Sequence, residues 1–277
     1  MNGKKVDNVL IVCDKSNPRA VAYLDELKSC LELAKIGFIE KLHVCLMESV
    51  DMIVVLGGDG FMSKTINGYY IYRKPFLGIN FGTRRGFLLN DCRPDMAGLL
   101  AQGRYEVFEF PLLRIDATKS DGTTAVHNDV NNIYVERTTP QCVKLNVNMN
   151  GVNFGREIMA DGLLVSSALG SSAYFLSAGG AAIHPLLPVM GIRSLHELWP
   201  PVIPPLVLSL DTKIEIEILE SQKRKARATS GELFSCENIV RAVIQKSQDR
   251  FYLVLPEGES FLKNISNKIL RIEEKNA

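Results

Sequence analysis

The sequence has almost no net charge. Its 32 Lys and Arg balance 31 Asp and Glu over 277 residues and leave +1. Bulk electrostatics therefore offers little to nucleic acid or to an anionic membrane, whose binding is driven by counterion release onto a basic surface. Any anion must be met by a local site. The six cysteines (Cys13, Cys30, Cys45, Cys92, Cys142, Cys236) include no Cys-x-x-Cys pair, which points to reduced, buried thiols rather than disulfides or zinc. The first apolar run, Val9 to Cys13, is too short for a signal peptide and ends at Asp14, so the expected location is the cytoplasm. Charge is missing most plainly from Gly162 to Ile192, 31 consecutive residues without Asp, Glu, Lys or Arg. That length could cross a bilayer. However, five Gly, five Ser, two Pro and a His interrupt it, and Gly179-Gly180 and Pro185 break it well short of a span. It reads as buried and soluble.

What is present is 46% hydrophobic sequence in two distinct patterns. Up to about residue 110, continuous apolar runs alternate with helical periods, the pattern of parallel strands joined by crossover helices. Asn8 to Cys13 reads as a strand, Asn17-Pro18 as a cap with a first-turn proline, and Val21, Leu24, Leu27, Leu31 and Ala34 as one helical face. Met52 to Leu56 and Phe76 to Asn80 are further strands of the doubly covered kind. After residue 110 the runs shorten and alternate. Asp121-Gly122 and Asn150-Gly151 each read as two-residue hairpin turns at positive φ. The expectation is an α/β N-terminal domain over 1–110 with a parallel, Rossmann-like sheet and a β-rich, sandwich-like domain over 111–258. A tail over 259–277 is expected to be helical and to pack back through Phe261, Leu262, Ile265, Ile269 and Leu270.

Four constellations carry chemistry. Gly57-Gly58-Asp59-Gly60 leaves a buried strand and opens a helix, where glycines allow close backbone approach and free N–H groups suit phosphate. Asp59 is electrostatically odd in such a loop unless it binds a hydroxyl, takes a proton or faces a metal ion. A plain strand-to-helix turn is the alternative reading. Asn80 to Phe87, with Gly82, Arg84, Arg85 and Gly86, is a second glycine-bearing loop on the same rim. His127-Asn128-Asp129 interrupts the strand Val126–Val135, where Asn and Asp are disfavoured. Asp161-Gly162 precedes a strand, and Ser167 to Tyr174 then opens a helix toward Ala182, with hydroxyls and amides suited to a neutral polar ligand. The Gly-x-Ser-x-Gly elbow of a serine hydrolase is missing. The basic run Lys223 to Arg227 reads as a solvated strand end.

In this order and spacing the constellations resemble the NAD kinase family, over roughly Val9 to Leu219. The resemblance rests on Gly57-Gly58-Asp59-Gly60, on Asn80-Phe81-Gly82-Thr83-Arg84-Arg85-Gly86-Phe87-Leu88, on Asn128-Asp129 for the family's Asn-Glu, and on Asp161-Gly162 followed by Gly170 to Tyr174. Phe61 is similar to the α-proteobacterial variant. The resemblance implies transfer of the ATP γ-phosphoryl group to the 2′-hydroxyl of the adenosine ribose of NAD, with Mg²⁺ carried by the nucleotide. It implies Asp59 as base or orienter of that hydroxyl, and Gly57, Gly58 and Gly60 on the ATP phosphates. Asp59, Gly60 and Phe87 would also face NAD. Asn128 would contact the adenine, Asp129 the ribose hydroxyls and Asp161 the nicotinamide end, while Ser172, Ala173, Tyr174 and Ser177 would complete the pocket. It also implies a homodimer or homotetramer with no membrane or nucleic-acid partner. A diacylglycerol-type lipid kinase, which shares Gly-Gly-Asp-Gly, and a non-catalytic dinucleotide sensor are the alternatives. The chain departs from the family pattern at Asp129, at Ser167-Ala168-Leu169 in place of Thr-Pro-x, at Ser172, at Arg85 and at Trp199-Pro200.

Overall fold

The computed structural model describes residues 3–40, 44–82, 87–153, 157–198 and 203–266. The chain divides into two compact units, residues 1–110 with 249–277, and residues 111–248.

The first unit is built on a parallel sheet. Its elements are β1 (Asn8–Cys13), α1 (Pro18–Leu33), β2 (Gly37–Ile39), β3 (Met52–Gly57), α2 (Asp59–Tyr69), β4 (Pro75–Asn80) and α3 (Met96–Ala101). Strand β1 lies between β2 and β3, and β4 follows β3, all in parallel register. Every residue of β3 is buried, as a strand covered on both faces requires. Helix α1 starts where its Asn-Pro signal places it: Asn17 Oδ1 accepts the Arg19 and Ala20 N–H groups, and Ala20, Tyr23, Leu24, Leu27 and Leu31 form the buried stripe. One strand of this sheet comes from the far end of the chain, with Tyr252 opposite Pro75 and Leu253 opposite Phe76 in parallel register. Residues 249–258, read from sequence as the end of the β-rich domain, thus belong to the α/β unit. Pairing with β4 is a long-range choice that no local pattern encodes.

The remaining elements are β5 (Tyr105–Lys119), β6 (Thr124–Asp129), β7 (Asn132–Arg137), β8 (Val143–Met149), β9 (Val152–Asn153), β10 (Ile158–Ala160), β11 (Gly162–Ser167), α4 (Tyr174–Ser177), β12 (Val189–Leu195), β13 (Leu206–Ser209), β14 (Ile214–Leu219), β15 (Ala226–Ser230), β16 (Phe234–Glu237), β17 (Ile239–Pro256) and α5 (Phe261–Ile265). In the second unit, β10, β8, β14 and the start of β17 form one antiparallel sheet. A second antiparallel sheet runs β13, β12, β11, β7, β15, β16. Leu145, Val147, Ile214, Ile216 and Ile244 of the first sheet share one core with Ile133, Val135, Leu163, Val165 and Ile192 of the second. This is the face-to-face arrangement of a sandwich.

Several local readings are corrected. Asn150 (φ 51) and Gly151 (φ 84) make the expected two-residue turn. At Asp121-Gly122 only Gly122 has positive φ. There the Asp121 carboxylate instead accepts the Thr123 N–H and hydroxyl, and the turn is longer. The expected strand Val126–Val135 is two strands broken at 130–131, because the Asp129 carboxylate accepts the Asn131 N–H and bends the chain there. The expected helix toward Ala182 is a 3-10 turn over Leu169–Ser172 and a single helical turn, α4; it ends before Gly179, which has φ 85. The strands expected at Ile239–Gln245 and Phe251–Leu255 are one continuous β17. In the tail, Phe261 of α5 meets Phe108 and Phe110 edge-on, whereas Leu262 is exposed. Ile269 and Leu270 lie outside the described residues, as do Thr83 to Gly86 and Trp199-Pro200.

Candidate functional sites

In the first unit, three loops converge at the carboxyl ends of β1, β3 and β4. Strand order reverses between β1 and β3, and such a point is where open parallel sheets receive ligands. Gly57 ends β3, Gly58 caps α2 and Asp59 lies in its first turn. The first-turn N–H groups of the helix have no intrahelical partners and lie at its positive end, with the half-buried Asp59 in that turn. The loop after β4 is tied to this one. The Phe81 N–H donates to the Gly57 carbonyl at 2.8 Å, and the Gly82 N–H donates to Asn80 Oδ1 at 3.0 Å. Sequence reasoning took Asn17 only as a helix cap; its Nδ2 also donates to the Phe81 carbonyl at 3.0 Å, so the loop after β1 holds the loop after β4. Phe87 is buried. Arg84 and Arg85 lie outside the described residues.

In the second unit, the serine-rich turn packs on the sheet that carries β7 and β11. Ser166, Ser167 and Ser171 each hydrogen-bond the backbone. Ser167 Oγ donates to the Val130 carbonyl and accepts the Gly170 N–H. Ser166 Oγ donates to the Ser167 carbonyl. Ser171, 0% exposed, donates to the Ala168 carbonyl at 2.7 Å and accepts the Ile183 N–H at 2.9 Å. Ser171→Ala would leave that amide without a partner in a buried place, so a loss of about 1–3 kcal/mol is expected in chemical denaturation. Gly170 is required by contact: a Cβ there would lie 2.9 Å from Asn132 Oδ1 and 3.0 Å from the Asn131 Cα. Past this turn, Ala173, Tyr174 and Ser177 are exposed and Ser172 is buried. Tyr174 stands edge-on to Tyr134, centroids 5.8 Å apart. Partial burial, then the Glu136 and Asp161 carboxylates and the Tyr134 hydroxyl, push the Tyr174 hydroxyl up from its ordinary pKa.

Asn128 and Asp129 are neighbours on β6 and so face opposite sides. Asn128 is half-buried opposite Arg114, while Asp129 lies opposite Leu113 of the core and is 3% exposed. The Asp129 carboxylate accepts the Asn131 N–H at 3.0 Å and faces His127 Nε2 at 3.4 Å. The His127 ring is stacked flat on Phe234, centroids 4.9 Å apart. His127 reads from sequence as part of a polar interruption of the strand, at a bulge or on an exposed face; in the structure it is partly buried, and only the pairing in space reveals its partners.

Asp161 stands just before β11. Arg137 Nε donates to Asp161 Oδ1 at 2.5 Å, and His196 Nδ1 lies 3.3 Å from Oδ2. The basic run after Lys223 is partly neutralised within the unit, Arg224 by Glu220 and the Cys142 carbonyl, and Arg227 by Glu136. Among the described residues no helix is long and apolar enough to cross a membrane.

Residues 130–255 match the family model of the ATP-NAD kinase C-terminal domain. The chain is 33% identical over 239 residues to an NAD kinase of Rickettsia prowazekii, covering 82% of this chain and 89% of that one. To an NAD kinase of Rickettsia africae it is 30% identical over 250 residues, 88% and 90% of the two chains. Two solved structures share the fold. The NAD kinase from Archaeoglobus fulgidus in complex with ATP has a TM-score of 0.73 at 23% identity, over 96% of this chain and 100% of that one. The yeast NADH kinase complexed with NADH has a TM-score of 0.75 at 18% identity, over 99% and 90%.

Proposed function

The chain belongs to the NAD kinase family, and from that premise we propose how its residues divide the work of an ATP-dependent phosphorylation of NAD. The γ-phosphoryl group of ATP passes to the 2′-hydroxyl of the adenosine ribose and gives NADP. A bond from that oxygen to phosphorus forms, the bond to ADP breaks, and the hydroxyl proton leaves. Asp59 receives or orients that proton. The observation that carries this reading is a carboxylate in the first turn of α2, at a strand-order reversal, among glycines and amides suited to phosphate. A carboxylate placed there would repel phosphate unless its task were the acceptor hydroxyl. The divalent cation, Mg²⁺ in this proposal, arrives as part of the ATP substrate and offsets the charge of the phosphates.

Gly57, Gly58 and Gly60 let the triphosphate approach the α2 amides. Asn128, on the side of β6 away from the core, takes the adenine, joined by Ser172, Ala173, Tyr174 and Ser177. Asp129 is engaged by Asn131 and His127, so its contact with the ribose would run through a water or follow a backbone shift. Phe87 and Gly60 back the acceptor, and Asp161 meets its nicotinamide end. Asn128→Ala is expected to raise KM for NAD about tenfold and leave KM for ATP unchanged, because loss of one hydrogen-bonding group costs on the order of 1 kcal/mol or slightly more.

The deciding experiment incubates the chain with NAD, ATP and Mg²⁺ and measures NADP with an NADP-specific dehydrogenase. Absence of product above an Asp59→Asn control would overturn the reading. The chain is further proposed to act in the cytoplasm as a homodimer or homotetramer, which light scattering on the purified protein tests for assembly state.

A further inference from the structure

Asp129 sets a buried carboxylate against the apolar core of the second unit. On β6 the side chains of His127 and Asp129, two residues apart, share a face, opposite Ile115 and Leu113 of that core. One carboxylate oxygen, Oδ1, accepts the Asn131 N–H at 3.0 Å, and the other, Oδ2, faces His127 Nε2 at 3.4 Å. The His127 ring lies flat on Phe234 of β16, with 4.9 Å between centroids and 4° between planes, and Phe234 packs against the core. The seat of that ring is tied to the same turn as Asp129. Ser230 of β15 pairs with Phe234, and its Oγ donates to the Asn132 carbonyl at 2.8 Å. Resting on the assignment of Asp129 to the ribose hydroxyls of the acceptor, we propose that His127 is a positioning residue for NAD, acting through Asp129 Oδ2 and itself held by Phe234.

The physical reason is rotational freedom. The last torsion of an aspartate is broad, so a carboxylate fixed at one oxygen still turns about that hydrogen bond, whereas one fixed at both does not. The Asn131 N–H is the first anchor and the imidazole is the second. Burial makes the second anchor matter, because a carboxylate away from water loses more with a donor than an exposed one does. Each carboxylate oxygen can accept more than one hydrogen bond. Both anchors can therefore stay in place while the acceptor's hydroxyls, or a bridging water, take the remaining lone pairs. The offset stack on Phe234 is attractive at this separation and keeps the imidazole from turning Nε2 away.

The test measures KM for NAD, KM for ATP and kcat, with urea denaturation alongside, in H127F, H127Q, D129N and H127F combined with D129N. H127F keeps a flat ring for Phe234 and removes the donor. It is expected to raise KM for NAD about fivefold, while KM for ATP and kcat at saturating NAD stay within about twofold. H127Q, whose amide can donate to Oδ2, is expected to return KM for NAD to within about twofold of the unmodified chain. D129N is expected to raise KM for NAD about tenfold, and adding H127F to it should change nothing further, since a residue that acts only through Asp129 then has nothing to act on. F234L leaves the donor and removes its flat seat; it should raise KM for NAD selectively and carries the test if H127F does not fold. No rise in H127F, a rise of both KM values together, a penalty that persists in H127Q, or one that adds to that of D129N would overturn the proposal alone. An unchanged KM for NAD in D129N would overturn it together with the ribose assignment of Asp129, and no NADP from the unmodified chain would overturn it together with the kinase reading.

Discussion

Asp59→Asn is expected to lower kcat for NADP formation by about 10²–10⁴-fold, the range over which a positioned acid or base contributes. The amide keeps the size of the carboxylate, so what is lost is the ability to take or hold the hydroxyl proton. Asp59 also sits in the first turn of α2, where a negative charge stabilises a helix by about 0.3–1 kcal/mol. A slightly lower melting temperature should therefore accompany the kinetic loss, with the fold intact by circular dichroism. Removing the charge should leave ATP binding unchanged or tighter, since like charges no longer face each other. A variant that binds both substrates and still turns over within threefold of the unmodified chain would show that Asp59 is only part of a turn.

Phe175→Ala is expected to destabilise the second unit by about 3–5 kcal/mol. The ring is 0% exposed and packs in a small cluster with Leu164, Ala168, Ile183 and Leu195. Its seat is made by two glycines: a Cβ on Gly180 would lie 2.3 Å from the ring, and one on Gly191 would lie 2.4 Å from it. Neither glycine has a side chain to move into the space that truncation leaves, so a cavity is the expected result. Because Phe175 adjoins Tyr174, losing it also frees the turn that carries Ser172 and Ala173, and NAD affinity should fall further than ATP affinity. Urea denaturation and separate binding titrations check both parts. Phe175→Leu should restore more than half of the stability, and a loss below 1 kcal/mol for Phe175→Ala would mean that the turn is held by Ser171 and its hydrogen bonds instead.

Much of the architecture was legible in the chain because the signals are local. An apolar run such as Met52 to Leu56 tells of cover on both faces, and the alternation in β8 and β14 tells of one buried face. Asn17-Pro18 marks a helix start and Asn150-Gly151 a hairpin. The readings that failed concern competition between local signals. The serine-rich segment lacks the side chains to hold a long helix, and Gly179 stops it. Asp129 could continue a strand or close a turn, and the Asn131 N–H decided for the turn.

By itself the sequence determined the two folding patterns, the change between them near residue 110, the glycine loop with its odd carboxylate, and the family. Each of these depends on residues within a few positions of one another, whose periodicity and turn chemistry follow from backbone sterics. Only the tertiary structure decided that residues 249–258 complete the parallel sheet, that Asn17 ties the loop ending in Phe81, and that Ser171 serves a backbone amide rather than a ligand. It also decided that Arg137 neutralises Asp161 from 24 residues away. The reason is that register and long-range pairing are set by which polar groups find partners when the chain closes on itself, and a linear pattern carries periodicity but no partner. The uncharged run from Gly162 to Ile192 shows both levels at once: its composition reads as buried, but the fold buries 162–172 and leaves Tyr174, Leu186 and Leu187 exposed, and the fold alone assigned Ser166, Ser167 and Ser171 to the backbone.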